Sequence, residues 1–165
     1  MSAEYKCAEC HMAVSVVLLD LVGVVVALPE RPHISIADGG HLVVVPTRHV
    51  KDRRDLIERE FLQMFYGSKL AAGALSVAFG VDWFNFQENG NWSLGTDGQP
   101  HLHLHVYGRA RAALEQPFGE ALRFPERRQL ADWRVPAVEP EQIARLQWSM
   151  ADITSKSLRS SGESE

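Results

Sequence analysis

The chain begins with apolar runs that are short enough to be β-strands. Residues 13–19 and 22–28 form two such runs around Asp20 and Gly23, which indicates a hairpin. A third run, HLVVVP at 41–46, is rich in β-branched residues and ends at a proline. The first third of the chain therefore predicts a sheet.

The period of the pattern then changes from strand to helix. Apolar residues recur at helical spacing over 52–79, and Gly80 supplies a natural stop. Residues 81–89 return to strand character, whereas 111–138 lack periodicity and predict an irregular excursion across the surface. Pro140 is placed to open a last helix with one apolar face.

This order of elements defines the expected architecture. Strands, a long helix, further strands and a final helix predict an α+β fold with an antiparallel sheet of about five strands. We expect residues 1–153 to form a single domain. Residues 154–165 are polar and predict a disordered tail.

Composition narrows the possible functions. The 165 residues are 45% hydrophobic and carry a formal charge of −4, without the basic face that nucleic-acid-binding proteins present. Residues 14–28 are too short for a membrane span and contain Asp20 and Gly23. The N-terminus lacks the pattern of a secretory signal, so we expect a cytoplasmic protein that binds neither membranes nor nucleic acid.

The segment GQPHLHLHVYGRA, residues 98–110, concentrates the chain's chemistry. His101, His103 and His105 alternate with apolar residues, so a strand here sends all three imidazoles to one face. Ordinary hydrogen-bonded side chains explain such a row poorly, because each ring needs its own partners. Spacing alone leaves metal binding and catalysis as alternatives.

The loop before this strand favours catalysis. Its sequence GNWSLGTDG, residues 90–98, is rich in glycine, which lets backbone N–H groups approach and cradle an anion. A neutral imidazole beside such a loop can attack a bound phosphate. The pair of features predicts phosphate chemistry.

The only two cysteines form a Cys7-x-x-Cys10 pair near the N-terminus. In a protein that is not exported, this spacing indicates a metal site or redox chemistry and not a disulfide scaffold. Two free thiols without a ligand role are the alternative.

Two motifs together resemble a known family. HLHLHVY, residues 101–107, fits the histidine-triad pattern His-φ-His-φ-His-φ-φ, and GGHLVVVPTRHV, residues 39–50, is similar to that family's upstream signature. The chain thus resembles the histidine-triad (HIT) superfamily of nucleotide hydrolases and transferases over about residues 7–109. The resemblance implies a HIT-like α+β fold.

The resemblance also implies catalytic roles. His103 corresponds to the nucleophile that takes the nucleoside monophosphate as a phosphoramidate. His105 corresponds to the residue that contacts the phosphate and helps to protonate the leaving group. His41 matches the upstream active-site histidine.

Zinc-containing relatives pair an N-terminal Cys-x-x-Cys with two histidines, which correspond here to His49 and His101. The resemblance therefore implies a structural Cys₂His₂ zinc site of Cys7, Cys10, His49 and His101 and no organic cofactor. His11 is a competing ligand without a family counterpart.

Substrate recognition departs from the family pattern. The phosphate loop ends in DGQP directly before His101, which displaces Gln99 from its usual spacing. Asn89 and Asn91 are further candidates for binding the nucleotide phosphate. The ribose-binding residue of the family corresponds to Glu30 or Asp38.

These motifs predict an enzyme that cleaves a nucleoside monophosphate conjugate, either a dinucleoside polyphosphate or a nucleoside phosphoramidate, through a nucleotidyl-histidine intermediate. A nucleotidyltransferase that uses a phosphate or sugar phosphate acceptor and a non-catalytic nucleotide-binding protein are the alternatives. The resemblance further implies a homodimer, for which the helix offers Phe61, Phe65 and Tyr66.

Overall fold

The computed structural model describes residues 4–10, 12–90, 99–124 and 134–162. The elements in chain order are β1 (Tyr5–Lys6), β2 (Ala13–Leu21), β3 (Val24–Pro29), β4 (His41–Pro46), a 3₁₀ turn (Arg53–Asp55), α1 (Glu58–Phe79), β5 (Phe84–Gln87), β6 (Leu104–Gly108) and α2 (Pro140–Gly162).

The strands form one antiparallel sheet in the order β1-β2-β3-β4-β6-β5. The predicted α+β class is therefore confirmed, with six strands where about five were expected. The additional strand is β1, which pairs Tyr5 with Val14 and Lys6 with Ala13. A two-residue strand carries no periodicity of its own, so the sequence pattern could not reveal it.

The long helix starts later than its pattern suggested. Asp52 caps the separate 3₁₀ turn by accepting a hydrogen bond from the N–H of Arg54, and the chain is extended again before α1 begins at Glu58. At the other end, Gly80 adopts the left-handed conformation with φ 70° and donates its N–H to Ser76 at 2.8 Å. The predicted stop is thus correct.

Both helices cover one face of the sheet. Alternate residues of β4 and β6 are fully buried, including Leu42, Val44 and Val106. They form one core cluster with apolar residues of α1 and α2. On the opposite face, Val43 and Val45 join a smaller cluster. The remaining positions of that second face are available for chemistry.

The start of β4 and the end of β6 meet closely. Gly108 donates its N–H to Gly40 at 2.9 Å, and a Cβ atom on Gly39 would overlap the carbonyl of Gly108. Gly39 also has φ 130°, which side-chain-bearing residues rarely adopt. The glycine pair of the upstream motif therefore allows the backbones at the start of β4 and the end of β6 to approach closely.

The last helix is longer than expected. The interpretation of 154–165 as a disordered tail is wrong for 154–162, because α2 continues through Gly162. Thr154 donates its hydroxyl to Met150, and Tyr66 of α1 donates its hydroxyl to Ser157 at 2.8 Å. These bonds and packing against α1 stabilise a polar segment that the composition suggested would not fold.

Among the described residues, no helix combines the length and the apolar character that crossing a membrane requires.

Candidate functional site

The pairing of β4 with β6 brings distant histidines together on the face opposite the helices. In this register His41 lies across from Tyr107, and Val43 lies across from His105. Residues across an antiparallel pair share a face. His41 and His105 are 1% and 3% exposed, so both imidazoles lie in the interior and need hydrogen-bond partners.

Hydrogen bonds assign the tautomers of these two rings. The backbone N–H of His33 donates to Nδ1 of His41 at 3.1 Å, so the neutral ring of His41 carries its proton on Nε2. That Nε2 lies 2.9 Å from Nδ1 of His105 and donates to it. The proton of His105 is consequently on Nε2.

His103 has the opposite arrangement of partners. Its Nδ1 lies 2.8 Å from the carbonyl oxygen of His101, and a carbonyl can only accept, so Nδ1 carries the proton. The lone pair of a neutral His103 is therefore on Nε2. The His103 ring is half-buried and lies edge-on to His105, with ring centroids 4.5 Å apart.

The environment keeps these rings neutral. Burial lowers the pKa of His105 to about 2 and that of His41 well below its usual range, and neighbouring histidines act in the same direction. Burial also lowers the pKa of His103, although its bond to the His101 carbonyl opposes this. A neutral His103 retains the lone pair that nucleophilic attack requires.

The first histidine of the triad belongs to a different cluster. Only His105 lies within β6, so the expectation that one strand carries all three histidines is wrong. The ring of His101 donates Nε2–H to the carbonyl of Pro46 at 3.0 Å, which leaves Nδ1 free to face Sγ of Cys10 at 3.2 Å.

Four side chains converge at this cluster. Ligand atoms of Cys7, Cys10, His49 and His101 all lie within 4.8 Å of one another, and Nδ1 of His49 is 3.7 Å from Sγ of Cys7. The structure thus brings together the four residues that the family resemblance implies. His11 lies outside the described residues.

The surrounding backbone holds the two halves of the cluster in place. Tyr5 donates its hydroxyl to the carbonyl of Thr47 at 3.0 Å, which ties the cysteine segment to the loop after β4. In that loop Arg48 forms an ion pair with the buried Glu60 of α1 at 2.7 Å. Leu102 donates its N–H to Val50 at 2.6 Å, so His49 and His101 are carried by adjoining backbones.

The donor set suits zinc. Two thiolates and two imidazoles are the ligands of closed tetrahedral zinc sites, and each histidine turns Nδ1 towards the thiols. The Nε2–H of His101 is already bonded to a backbone carbonyl, as ligand histidines require of their second nitrogen. We conclude that these residues fit a structural zinc ion.

The residues predicted to bind phosphate differ in their burial. The buried Nδ2 of Asn89 makes no hydrogen bond of normal geometry with a described residue, whereas Gln99 is exposed. Asn91 lies outside the described residues. Sequence reasoning missed Gln87 of β5, which lies across from His105 of β6 and whose buried Oε1 makes no hydrogen bond with a described residue.

Neither candidate for ribose binding is favoured by its surroundings. Glu30 is exposed. The carboxylate of Asp38 is buried and accepts hydrogen bonds from Ser35 and from the backbone N–H groups of Leu114 and Glu115. Asp38 therefore anchors the segment after β6, which is not the simple surface excursion that we expected.

His33 and Tyr107 are further residues that sequence reasoning missed. Nδ1 of His33 lies 2.7 Å from the hydroxyl of Tyr107, and the His33 ring stacks on His41 at 4.7 Å. His33 belongs to none of the elements or motifs that the sequence predicts, and Tyr107 occupies a hydrophobic position of the triad motif. The segment between β3 and β4 brings His33 to Tyr107, which the β4–β6 register places across from His41.

Comparison with known proteins agrees with this architecture. The family model of the HIT domain matches residues 15–112, which is more than half of the chain. A comparison with curated protein sequences finds no match.

Solved structures with this fold include a Zn-bound histidine triad family protein from Mycobacterium smegmatis, with a TM-score of 0.57, 21% identity and coverage of 86% of this chain and 89% of that one. A Hit-like protein involved in cell-cycle regulation from Bartonella henselae has a TM-score of 0.54 and 16% identity, with coverage of 81% of this chain and 82% of that one. A uridylyltransferase has a TM-score of 0.51 and 16% identity, with coverage of 82% of this chain and 41% of that one. At these identities, the similarity shows the fold.

The buried histidines predict how stability depends on pH. When unfolded, His41 and His105 titrate with an ordinary pKa of about 6.5, whereas their folded pKa values are depressed. Below about pH 6.5 the unfolded state therefore binds more protons. Each ring should lower the free energy of unfolding by up to about 1.4 kcal/mol per pH unit as the pH falls towards 5.

Urea denaturation at pH 7.5 and pH 5.0 measures this dependence. His41→Gln should be less stable at pH 7.5 but should lose less stability on acidification. The comparison isolates His41, because both proteins retain the Cys–His cluster. Equal losses in the two proteins would contradict a buried neutral His41.

Proposed function

The chain belongs to the HIT family, which covers nucleotide hydrolases and transferases, and from this premise we propose that it hydrolyses a nucleoside monophosphate conjugate through a nucleotidyl-His103 intermediate. The substrate class is a dinucleoside polyphosphate or a nucleoside phosphoramidate. Such a substrate is small and anionic, and the face opposite the helices offers it neutral imidazoles and amide groups.

One observation carries this proposal. The hydrogen bond from Nδ1 of His103 to the carbonyl of His101 leaves the Nε2 lone pair available for attack. Nε2 of His105 carries a proton because its Nδ1 accepts from His41. A nucleophile and a hydrogen-bond donor thus occupy neighbouring rings, as in-line attack on phosphorus requires.

The reaction follows from these two atoms. Nε2 of His103 attacks the α-phosphorus, the bond from phosphorus to the leaving group breaks, and the leaving group departs with the electron pair. The Nε2–H of His105 stabilises the charge that develops on the phosphoryl and leaving-group atoms. Water then attacks phosphorus and gives up a proton to the departed leaving group or to solvent, the P–N bond breaks, and its electron pair returns to Nε2 of His103.

The side-chain N–H of Asn89, just after β5, is the proposed phosphate contact, and the side chain of Gln87 is a proposed contact to a substrate hydroxyl. The buried Nδ2 of Asn89 makes no hydrogen bond of normal geometry with a described residue and can donate to a phosphate oxygen, whereas the buried Oε1 of Gln87 can only accept and would need a hydroxyl of the substrate. A buried polar atom left without a hydrogen bond costs about 1–3 kcal/mol. A bound substrate would remove that cost. Gln99, which is exposed, is expected to contribute less.

Transfer to an acceptor other than water is the second candidate, and the Cys–His cluster favours it, because that ligand set resembles the one in uridylyltransferase relatives. Incubation with substrate in the presence and absence of phosphate or a sugar phosphate distinguishes the two. A new nucleotidyl product would show transfer, and nucleoside monophosphate alone would show hydrolysis.

We also propose that Cys7, Cys10, His49 and His101 hold one structural zinc ion. The ion would attach the cysteine segment to the loop after β4 and to the residue next to the nucleophile. Its chemistry here is structural, because four protein ligands complete a tetrahedral site. No step of the reaction passes through it.

Replacement of the nucleophile gives the first test. His103→Ala should abolish turnover of a fluorogenic adenosine phosphoramidate, because it removes the attacking atom, and should leave nucleotide binding within a few-fold of wild type. Glu141→Gln, which changes an exposed side chain of α2, serves as the control. Retention of more than a few per cent of the wild-type rate would exclude the covalent mechanism, and wild-type protein that binds without turnover would be a nucleotide-binding protein.

The zinc site gives the second test. Protein prepared without chelators should contain about one zinc ion per chain, and chelation at low pH should release it and lower the melting temperature. Cys7→Ser should lose most of the zinc, and its activity should fall in part because His101 loses a partner.

Glu9→Gln, which changes an exposed neighbour of the cysteines, should retain the metal. Metal analysis that finds no zinc in wild-type protein would exclude the site.

A homodimer is proposed through the open side of α1. A groove of about 730 Å³ between α1 and β5 is lined by Phe61, Phe65 and Phe86, which are 51%, 75% and 49% exposed. The strand β5 is the last strand at this edge among the described residues. A second copy would cover both the aromatic side chains and the strand edge. Tyr66 lies instead against α2.

Sedimentation velocity at micromolar concentration tests this interface. Wild-type protein should sediment as a dimer, and Phe65→Asp should sediment as the 18.4 kDa monomer because it places a charge in the groove. Trp148→Asp, which changes a 63% exposed aromatic of α2, should remain dimeric. A wild-type monomer would exclude the proposed dimer.

A further inference from the structure

Two residues that the catalytic scheme does not use determine which way the catalytic hydrogen bonds run. We propose that His33 and Tyr107 are positioning residues, which hold the backbone N–H of residue 33 against His41 and thereby fix the proton that His105 presents to the substrate. The inference rests on the proposed function only for its effect on rate, because its effect on the His41 tautomer exists without substrate.

Tyr107 is held rigidly beneath the histidines. It is fully buried, lies across from His41 in the β4–β6 register, and stacks on the His41 ring with centroids 4.5 Å apart and an interplanar angle of 25°. It also stacks on His105 at 5.4 Å and 10°. The hydroxyl of this fixed ring lies 2.7 Å from Nδ1 of His33.

His33, by contrast, lies in the irregular segment between β3 and β4. No strand or helix sets the direction of its backbone N–H, which must be set by local contacts. The hydrogen bond between its ring and the Tyr107 hydroxyl is such a contact, and it ties the side chain of residue 33 to the sheet. The N–H of the same residue then reaches Nδ1 of His41 at 3.1 Å.

The direction of that N–H matters because each neutral imidazole has one donor and one acceptor nitrogen. If the N–H turned away, His41 could move its proton to Nδ1 and accept at Nε2. His105 would then have to donate from Nδ1, and its Nε2 would lose the proton that faces the substrate. A released His33 would thus convert the donor on His105 into an acceptor.

The pair acts by geometry and not by charge. Burial lowers the pKa of His33 to about 4, so its ring is neutral at pH 7. Burial raises the pKa of Tyr107 above its usual range, although the neighbouring Asn89 opposes this, so the hydroxyl keeps its proton. Removal of the hydroxyl should therefore leave the net charge of the site unchanged.

The segment after β6 closes the outer side of the pair. Phe124 lies edge-on to His33 with centroids 5.8 Å apart and contacts Tyr107 at 5.6 Å. The buried Gln116 fixes this position, since it exchanges two hydrogen bonds of 2.9 Å with the backbone of Arg123. These residues lie beyond the part matched by the family model, which ends at residue 112.

The first experiment reads the tautomer of His41 without substrate. In protein labelled with ¹⁵N-histidine, two-bond ¹H–¹⁵N spectra distinguish Nε2–H from Nδ1–H rings, and signals of His41 are assigned by their loss in His41→Gln. Wild type should show one Nε2–H tautomer. Tyr107→Phe should show averaging towards the Nδ1–H form, whereas Tyr66→Phe, which removes a hydroxyl between α1 and α2, should match wild type.

The second experiment reads the rate. Tyr107→Phe and His33→Ala should each lower kcat about tenfold with KM changed less than about twofold, because the pocket remains and one hydrogen bond loses its direction. His33→Asn, whose amide can reach the Tyr107 hydroxyl, should recover most of the rate. The double variant should be no slower than either single variant, since both act through one contact.

These results separate the inference from the proposed function. An unchanged single Nε2–H tautomer of His41 in Tyr107→Phe would overturn the positioning role, whether or not the protein turns over nucleotides. Additive losses of kcat in the double variant would also overturn it. Absence of turnover in wild type, together with the predicted tautomer change, would reject the hydrolase and retain the positioning pair.

Discussion

The antiparallel pairing of β4 with β6 is the constraint on which the rest of the site depends. Its register places His41 across from Tyr107 and Val43 across from His105. Because side chains alternate along a strand, a slip of one residue would turn these rings into the helix-covered core and expose the apolar residues between them.

The register is fixed from the other face, where Leu42, Val44 and Val106 are fully buried under α1 and α2. The close approach of Gly39 to Gly108 then locks the end of the pair. Packing of the core on one face of the sheet thus determines where the histidine and tyrosine rings lie on the other face.

Burial has a second consequence, which is that the histidines act as directional hydrogen-bond groups and not as charges. A buried imidazolium would be expensive, and the depressed pKa values of His33, His41 and His105 reflect that cost. A neutral ring is amphoteric, so its orientation must be set by a partner that can only donate or only accept. The backbone supplies both kinds of partner here: an N–H for His41 and carbonyl groups for His101 and His103. The backbone therefore fixes the direction of every hydrogen bond in the row.

Local pattern was sufficient for much of the fold and for identifying the cysteines and most of the histidines that cluster in the structure. The hairpin, the strand at 41–46, the long helix and its stop at Gly80 follow from periodicity and turn residues, and the two histidine motifs identify the strands that meet. What local pattern could not supply was contact between distant segments. The role of β1, the helical continuation beyond Thr154 and the anchoring of 110–124 by Asp38 all depend on tertiary partners. Sequence reasoning missed His33 and Tyr107 for the same reason, since neither residue has a distinctive neighbour in sequence. The alternation of the triad also suggested one continuous strand, whereas β6 begins only at Leu104 and His101 lies before it, with Pro46 and Cys10 as partners.

His101 is the point at which the proposed metal site and the proposed nucleophile meet. Its ring donates Nε2–H to Pro46 and turns Nδ1 towards Cys10, while its backbone carbonyl accepts the hydrogen bond from Nδ1–H that orients His103. These tasks use different atoms of one residue, so they do not compete. They are nevertheless coupled, because a displacement of the His101 backbone displaces the acceptor that sets the lone pair of His103. Leu102, between the two histidines, donates its N–H to Val50 and ties this backbone to the loop that carries His49. The order of the motif explains the result: with one residue between successive histidines, the first can hold the metal cluster and still orient the second, while the third remains on the strand opposite β4. Three imidazoles of identical chemistry thus receive three different partners, and those partners give each ring its role.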